Sequence, residues 1–452
     1  MESEVEIIEI PKKNHKKTIL IGLALFLTFL IIFFGYRAFS FTKKIIVSKS
    51  SSASPYLSGE RDLGKFESGD RRINILLLGM GGENHPGGNL TDTIQVASID
   101  PKNKEVSILS IPRDLFVKVD GFGSYKINSV FSLNEKGSFD SSLKEGEDSD
   151  NRELSKKMDL MKKTVSGLLG VPIHYTALIN FDGFKKIIDI FDGIDVEVKK
   201  DLYDPYYPDE YVEDYDPFYI ESGTHHMDGE TALKYVRSRE TTSDFDRSRR
   251  QQEIMVAVKD KAIKNISMKK VSQIMNILSD NFKTDLQLSE IEELIKIAKD
   301  IDSQNIKTTV LDDGEEGLLY SDRYDEMYVL VPVDPTLSEL HFFVSQYFRD
   351  PLLAEEKAKI SIVNGTNNEY YPNYLLEKLK YYNYDVTLSE KNDDKIYEKT
   401  FIYDYSNNKK KGTIDFLKKY LGNVSIMNLG NQDHDYDIEI IIGKNYQGKT
   451  IK

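Results

Sequence analysis

The stretch Ile73 to Gly79, INILLLG, decides the fold class. It is an almost continuous apolar run of strand length ending in glycine, which fits a strand buried on both faces of a sheet. Downstream, TIQVASID (93–100) and EVSILSIPRD (105–114) are strand-like runs separated by the turn-like tetrapeptide PKNK, and they predict a hairpin. A helical segment over 152–169, the strand YTALINF, a helix over 182–191 and the short strand DVEVK then follow. Helices alternate with strands, so the expectation is an α/β domain with a mixed central sheet flanked by helices. The Gly-, Ser- and acid-rich segment 133–151 reads as a surface insertion.

Helical pattern continues to about residue 300, and TTVLD and MYVLVPV read as two edge strands. The charged segment 350–357 lacks a strong pattern and serves as the domain boundary. Beyond it, KISIVNG, a helix over 372–381, DVTLSE, a helix over 413–420 and IEIIIG predict a second, small α/β domain over 357–447. There is no internal repeat.

The chain has 452 residues, enough for two or three domains. Its net charge of −14 argues against a general nucleic-acid-binding surface, which needs a basic face. The absence of cysteine excludes disulfides, thiolate metal sites and cysteine nucleophiles.

The amino-terminal region differs in kind. TILIGLALFLTFLIIFFGY (18–36) carries no charge over 19 residues, long enough to cross a bilayer as a helix. A cleaved signal peptide is the rival reading, but the run exceeds the usual apolar core of one and no clear A-x-A site follows. Lys12, Lys13, Lys16 and Lys17 precede the run while Arg37, Lys43, Lys44 and Lys49 follow it, so charge alone leaves the orientation undecided. The residues after it include SKSSSASPYLSGERD, polar and serine-rich, which reads as a flexible spacer. The expected organisation is a tail over 1–17, a span over 18–36, a linker over 37–68 and the main domain over 69–349.

Against this acidic background, Arg237, Arg239, Arg247, Arg249 and Arg250 fall within YVRSRETTSDFDRSRRQQ (235–252). Asp228 is a plausible N-cap for the helix that carries Arg237 and Arg239 at its end, where cations suit the helix dipole. A second helix, beginning near Asp246, places Arg247, Arg250, Gln251, Ile254 and Val258 on one stripe, cationic at its start. Arginine in a first turn opposes the dipole at roughly 0.3 to 1 kcal/mol per exposed charge, and a bound anion reverses that sign. Local ion pairs with Asp244, Asp246 and Glu253 are the simpler explanation for any one arginine. For all five, a pyrophosphate with its two phosphoryl groups is the better match.

A second constellation lies in PGGNLTDTIQ, where Asp92 enters a strand after a glycine-rich loop, and in SIPRD, where Arg113 and Asp114 end the hairpin. Both fall at one sheet edge, where α/β folds commonly build sites, although a turn-capping role for Asp92 is the ordinary alternative. His225 and His226 are adjacent, point in different directions and have no partner at metal spacing, so they read as loop residues. DLYDPYYPDEYVEDYDPFY (201–219) interleaves rings with carboxylates; a proline-stiffened loop packing its own rings is the favoured reading, and stacking faces for a sugar the other.

In order, NILLLG, TDT, SIPRD, KIN (126–128), GTHHMDGETALKYVRSR and DFDRSRRQQ resemble the LytR-CpsA-Psr family of bacterial cell-wall glycopolymer ligases over about residues 69–348. The piece from ISIVNGT onward resembles the LytR C-terminal domain, with NNEYYPN in place of the small residues usual after it. The resemblance implies a type II single-pass protein of the bacterial cell membrane with most of its chain extracytoplasmic. It implies transfer of a glycan from a polyprenyl-pyrophosphate carrier to a cell-wall acceptor, typically peptidoglycan, with Mg²⁺. Carried over, Asp92 helps hold the metal or takes the acceptor's proton, while Arg113, Arg237, Arg239, Arg247 and Gln251 hold the phosphates with Arg250 as their neighbour. Asp92, Arg113, Arg237 and Arg239 are the expected catalytic set.

One position departs from the family pattern. Gly81 stands where the family usually has an aspartate, and Glu83 on the same loop is the expected replacement beside Asp92. Two other functions use the same pocket: a phosphohydrolase with water as acceptor, and a non-catalytic wall-binding or regulatory protein.

Overall fold

The structure, a computed structural model, describes residues 45–446 apart from 61–69, 83–84, 86–87, 134–147, 209–214, 239–243, 266–273, 275–279, 315–316, 382–383, 390–394, 423 and 431–433. Among the described residues no helix is long and apolar enough to cross a membrane. The expected tail over 1–17 and span over 18–36 lie outside them, as does most of the expected insertion.

Strand β1 (Ile73–Met80) runs through the middle of the main sheet. It pairs antiparallel with β2 (Thr91–Asp100) and parallel with β4 (Tyr175–Asn180), while β3 (Glu105–Ser110) completes the expected hairpin with β2. β5 (Phe282–Thr284) and β6 (Ile306–Val310) take the two edges, giving the order β5-β4-β1-β2-β3-β6. The sheet is mixed.

β1 is buried on both faces because both are covered. Leu76, Leu78 and Met80 join Met158, Met161 and Val165 of helix α1 (Asp148–Leu169), whereas Ile73 and Ile75 pack with Tyr175 and Leu286. Each such aliphatic side chain contributes about 1.5–3 kcal/mol when fully buried. A third cluster unites α2 (Phe181–Ile190), α3 (Gly229–Arg237) and α4 (Asp244–Asn265) through Ile188, Leu233, Val236 and Ile254. α5 (Leu288–Lys299) follows β5.

Two expectations, the place of MYVLVPV and the free spacer, need correction. MYVLVPV does not extend the sheet: Met327–Pro332 pairs with Leu319–Tyr324 in a separate hairpin, and Leu330 N–H donates to the Asp114 carbonyl at 3.0 Å. β6 already fills that edge. DVEVK is the expected short strand and forms its own ribbon, Ile194–Val198 against Gly223–Met227. The serine-rich spacer is not free over 45–60. Ser50 Oγ donates to the His174 carbonyl, Ser52 Oγ to the Ile173 carbonyl at 2.8 Å and Val47 N–H to the Thr284 carbonyl at 2.9 Å, while Ser54 N–H donates to Tyr175 Oη. Its serines satisfy the end of the sheet, a role that composition does not reveal.

The expected boundary segment holds a helix: α7 (Pro351–Glu356) is N-capped by Asp350, packs on α9 (Lys411–Leu421) and follows α6 (Ser338–Tyr347). Beyond it stand a second sheet and α8 (Tyr370–Tyr381). β7 (Lys359–Asn364), β8 (Asp385–Leu388), β9 (Phe401–Asp404), β10 (Ser425–Asn428) and β11 (Ile438–Ile442) lie in the order β8-β7-β11-β9-β10. The two sheets are joined by charge. Arg71, whose side chain is fully buried, donates to Asp350 at 2.7 Å and to Asp415 at 3.1 Å. Arg72 donates to Ser98 Oγ at 2.8 Å and to the Arg349 carbonyl at 3.1 Å.

Candidate functional site

The site grows from one end of the main sheet. There β1 and β4 finish side by side, Met80 opposite Asn180, and β2 begins opposite them, Met80 paired with Thr91. The loop between β1 and β2 turns tightly: Gly82 N–H donates to the Gly88 carbonyl at 3.1 Å and Gly88 N–H to the His85 carbonyl at 2.9 Å. A Cβ at Gly88 would lie 1.8 Å from the Gly82 carbonyl oxygen, so only glycine fits. A Cβ at Gly81 would lie 3.0 Å from His85 Cβ, so a larger residue there requires His85 to give way.

Asp92 therefore sits at the mouth of this end, one residue into β2. Arg113, carried past the end of β3, donates from Nη1 to Asp92 Oδ1 at 2.7 Å. Its Nε lies 3.5 Å from Asp114 Oδ2, and Asp114 Oδ1 accepts from Lys126 Nζ at 2.6 Å. Two cations and two carboxylates thus alternate along one edge, with both members of the Asp92–Arg113 pair partly open to solvent. Of the residues expected here, these two are brought into contact.

Arg237 arrives from the other side. Asp228 caps α3 as expected, its side chain accepting from Thr231 N–H at 2.8 Å, and Arg237 closes the helix. Its guanidinium lies 4.6 Å from the Phe181 ring centroid and 5.3 Å from that of Tyr207, and Nη1 donates to Tyr207 Oη at 3.0 Å. Phe181 opens α2 directly after β4 and meets His85 edge-on at 5.1 Å. Arg237 is thereby tied to the same glycine loop that precedes Asp92.

The remaining arginines divide. Arg249 pairs with Asp246 at 2.9 Å on the surface, the simple local ion pair. Arg250 is buried and turns inward: Nε donates to the Tyr235 carbonyl at 2.8 Å and Nη2 to the Ser238 carbonyl. It caps the C-terminal end of α3, satisfying carbonyls left by the helix. Burial pushes the Arg250 pKa below its ordinary value, with Tyr235 and Asp246 opposing. Arg247 is also buried, and Gln251, half-buried, follows it by one turn of α4. Arg239 and Glu83 lie outside the described residues.

Tyr207 and Phe181 escape a reading of the sequence. Tyr207 is one of six tyrosines in a 21-residue run, 201–221, and nothing local marks it as the buried one. Pro205 and Pro208 mark a stiffened turn, but they bracket Tyr206 and Tyr207 alike and do not tell the two apart. Among the described residues no group of three or more His, Asp or Glu could hold a metal by itself. The Asp92 carboxylate, half-committed to Arg113, suits Mg²⁺ only as one protein ligand completed by phosphate oxygens and water.

An arginine-lined mouth at the carboxyl end of a mixed α/β sheet defines a class of anion-handling proteins, and comparison places the chain within it. The LytR_cpsA_psr family model matches residues 36–340, and the chain belongs to this family. It is 27% identical over 318 residues to the polyisoprenyl-teichoic acid–peptidoglycan teichoic acid transferase TagT of Bacillus subtilis, covering 68% of this chain and 90% of that relative. It is 32% identical over 223 residues to the transferase TagV of the same organism, covering 48% of this chain and 50% of that relative. The crystal structure of B. subtilis TagV superposes with a TM-score of 0.46 at 27% identity, covering 62% of this chain and 97% of that one.

Proposed function

We propose that this chain is a membrane-anchored glycopolymer transferase, moving a glycan from a polyprenyl-pyrophosphate carrier to a cell-wall acceptor such as peptidoglycan. The observation that carries the reading is the pairing of Asp92 with Arg113 at the same sheet end to which Phe181 and Tyr207 fix Arg237. The names of TagT and TagV support it, since both relatives join a polyisoprenyl-linked polymer to peptidoglycan.

The chemistry needs charge more than proton transfer. As the carrier leaves as phosphate or pyrophosphate, negative charge grows on its oxygens, and fixed guanidinium groups stabilise that charge without reorganising. Arg237 is held by the Phe181 and Tyr207 rings and by the Tyr207 phenol, which fix its orientation. Arg113 holds the Asp92 carboxylate in place, where Asp92 either helps hold the metal or takes the acceptor hydroxyl's proton. Arg247 and Gln251 complete the phosphate contacts, and Arg239 belongs to the same set. Arg250 acts as a positioning residue by fixing the corner between α3 and α4. Asp92, with Glu83 as the second carboxylate, would hold a Mg²⁺ ion, which would supply further charge stabilisation.

The same proposal takes residues 18–36 as an uncleaved type II anchor in the bacterial cell membrane, with the rest of the chain outside the cytoplasm. It takes residues 69–349 as the catalytic domain and 357–447 as a LytR C-terminal-like domain.

The test incubates the full chain with a labelled polyprenyl-pyrophosphate oligosaccharide and peptidoglycan fragments, with Mg²⁺ or with chelator. Label on peptidoglycan only with metal supports the transferase. Release of label to water alone establishes a phosphohydrolase instead, and tight binding without turnover a wall-binding or regulatory protein.

A further inference from the structure

Gln95 is an amide in the middle of an apolar strand. Its neighbours on β2, Ile94 and Val96, enter the core that α1 covers, so Gln95 faces the other side of the sheet, where it is fully buried. Packing alone asks for no polar group there, and a buried amide is costly unless it is hydrogen-bonded. Gln95 Nε2 donates at 3.0 Å to Oγ of Ser110, its partner in register on β3. The same Oγ accepts from Nε2 of Gln252 on α4 at 2.8 Å, and Gln252 Nε2 also donates to the Thr309 carbonyl of β6 at 2.7 Å. Ser110 and Gln252 are buried as well. One hydroxyl at the end of β3 thus gathers amides from β2 and from α4.

The chain connects each of these residues to the site. Asp92 lies three residues before Gln95, Arg113 three residues after Ser110, and Gln252 directly after Gln251 and five residues after Arg247. We propose that Gln95, Ser110 and Gln252 are positioning residues that hold α4, with Arg247 and Gln251, in fixed register against the Asp92–Arg113 pair, so that both groups meet one pyrophosphate; the inference rests on the transferase reading above. Apolar contact is non-directional and tolerates sliding, whereas hydrogen bonds between amide and hydroxyl fix distance and direction. Buried polar networks of this kind specify one arrangement more than they add stability. None of the three has to touch the substrate. Their effect passes through the residues they place, and a shift of about 1 Å in a phosphate-holding group is enough to reduce a rate about 10²-fold.

The test replaces the network by apolar side chains of similar shape, Gln95→Met/Ser110→Ala/Gln252→Met, in the full detergent-solubilised chain. Removing the partners together strands no amide, so the denaturation midpoint is expected to stay near that of the wild type. Affinity for inorganic pyrophosphate, read by calorimetry, is expected to fall about tenfold. In the transfer assay kcat/KM for the lipid carrier is expected to fall about 10–100-fold, with KM for peptidoglycan unchanged. Tyr175→Phe, which breaks a buried bond to Glu290 at the opposite end of β4, is expected to lower the midpoint and to leave pyrophosphate affinity unchanged. A folded triple variant with wild-type pyrophosphate affinity overturns the inference, as does an equal loss of affinity in Tyr175→Phe, since stability alone then explains both. If the triple variant does not fold, Gln252→Met alone, which leaves Gln95 on Ser110, is judged by the same readings. A wild-type chain that binds no pyrophosphate overturns the transferase reading and the inference with it, so the two failures are told apart.

Discussion

Arginines guard both ends of β1, and they are used in opposite ways. At the start of the strand, Arg71 and Arg72 are buried and met on every side by Asp350, Asp415, Ser98 and the Arg349 carbonyl, with Asp100 3.5 Å from Arg72. At its end, Arg113 donates to Asp92, Arg237 donates to Tyr207 Oη and lies against the Phe181 and Tyr207 rings, and the Asp92–Arg113 pair keeps part of its surface open. Desolvation explains the difference. A guanidinium sealed among carboxylates holds two parts of a chain together because leaving any partner alone is costly, and it has nothing left to offer a ligand. A guanidinium oriented by rings keeps its charge available.

Substitutions can break or sharpen this contrast. Arg71→Ala strands Asp350 and Asp415 and is expected to lower unfolding stability by about 3–5 kcal/mol, read by chemical denaturation. Arg237→Ala at the other end is expected to leave the denaturation midpoint unchanged and to reduce transfer about 10²–10³-fold, the usual loss for one donor to a developing oxyanion. Survival of transfer would sink the assignment of Arg237. Arg250→Ala lies between these extremes, since it uncovers the Tyr235 and Ser238 carbonyls: stability is expected to fall by about 1–3 kcal/mol, with activity falling alongside. Tyr207→Phe removes only the phenol that steadies Arg237, an expected loss of about 0.5–1.5 kcal/mol in kcat/KM with KM for the acceptor unchanged.

What could be read from sequence was local. The β2–β3 hairpin, the burial of β1 on both faces and the Asp228 cap follow from periodicity and from side chains within three positions of their partners. The neighbourhood of Asp92 and Arg113 could be read because a hairpin folds two strand ends onto one edge. Arg250 could not: on its own helix it has carboxylates within reach, yet its fork closes on carbonyls of the preceding one. Tyr207 was hidden for a similar reason, since only the docking of α2 and α3 selects it from its run of tyrosines. The serines of the supposed spacer show the limit most plainly, because their partners at 173–175 are more than 120 positions away.

Those serines also set a leash. With an anchor ending at residue 36, the chain is fastened to the sheet again from Ile46, where a parallel bridge to Thr284 begins the contact. Nine residues, 37–45, lie between, and fully extended they span at most about 30 Å. In the proposed anchored form the catalytic body would be moored close to the bilayer surface, within about one domain diameter of the headgroups. An enzyme so held would collect a lipid-borne donor by lateral diffusion in two dimensions, while the wall polymer would have to come down to meet it.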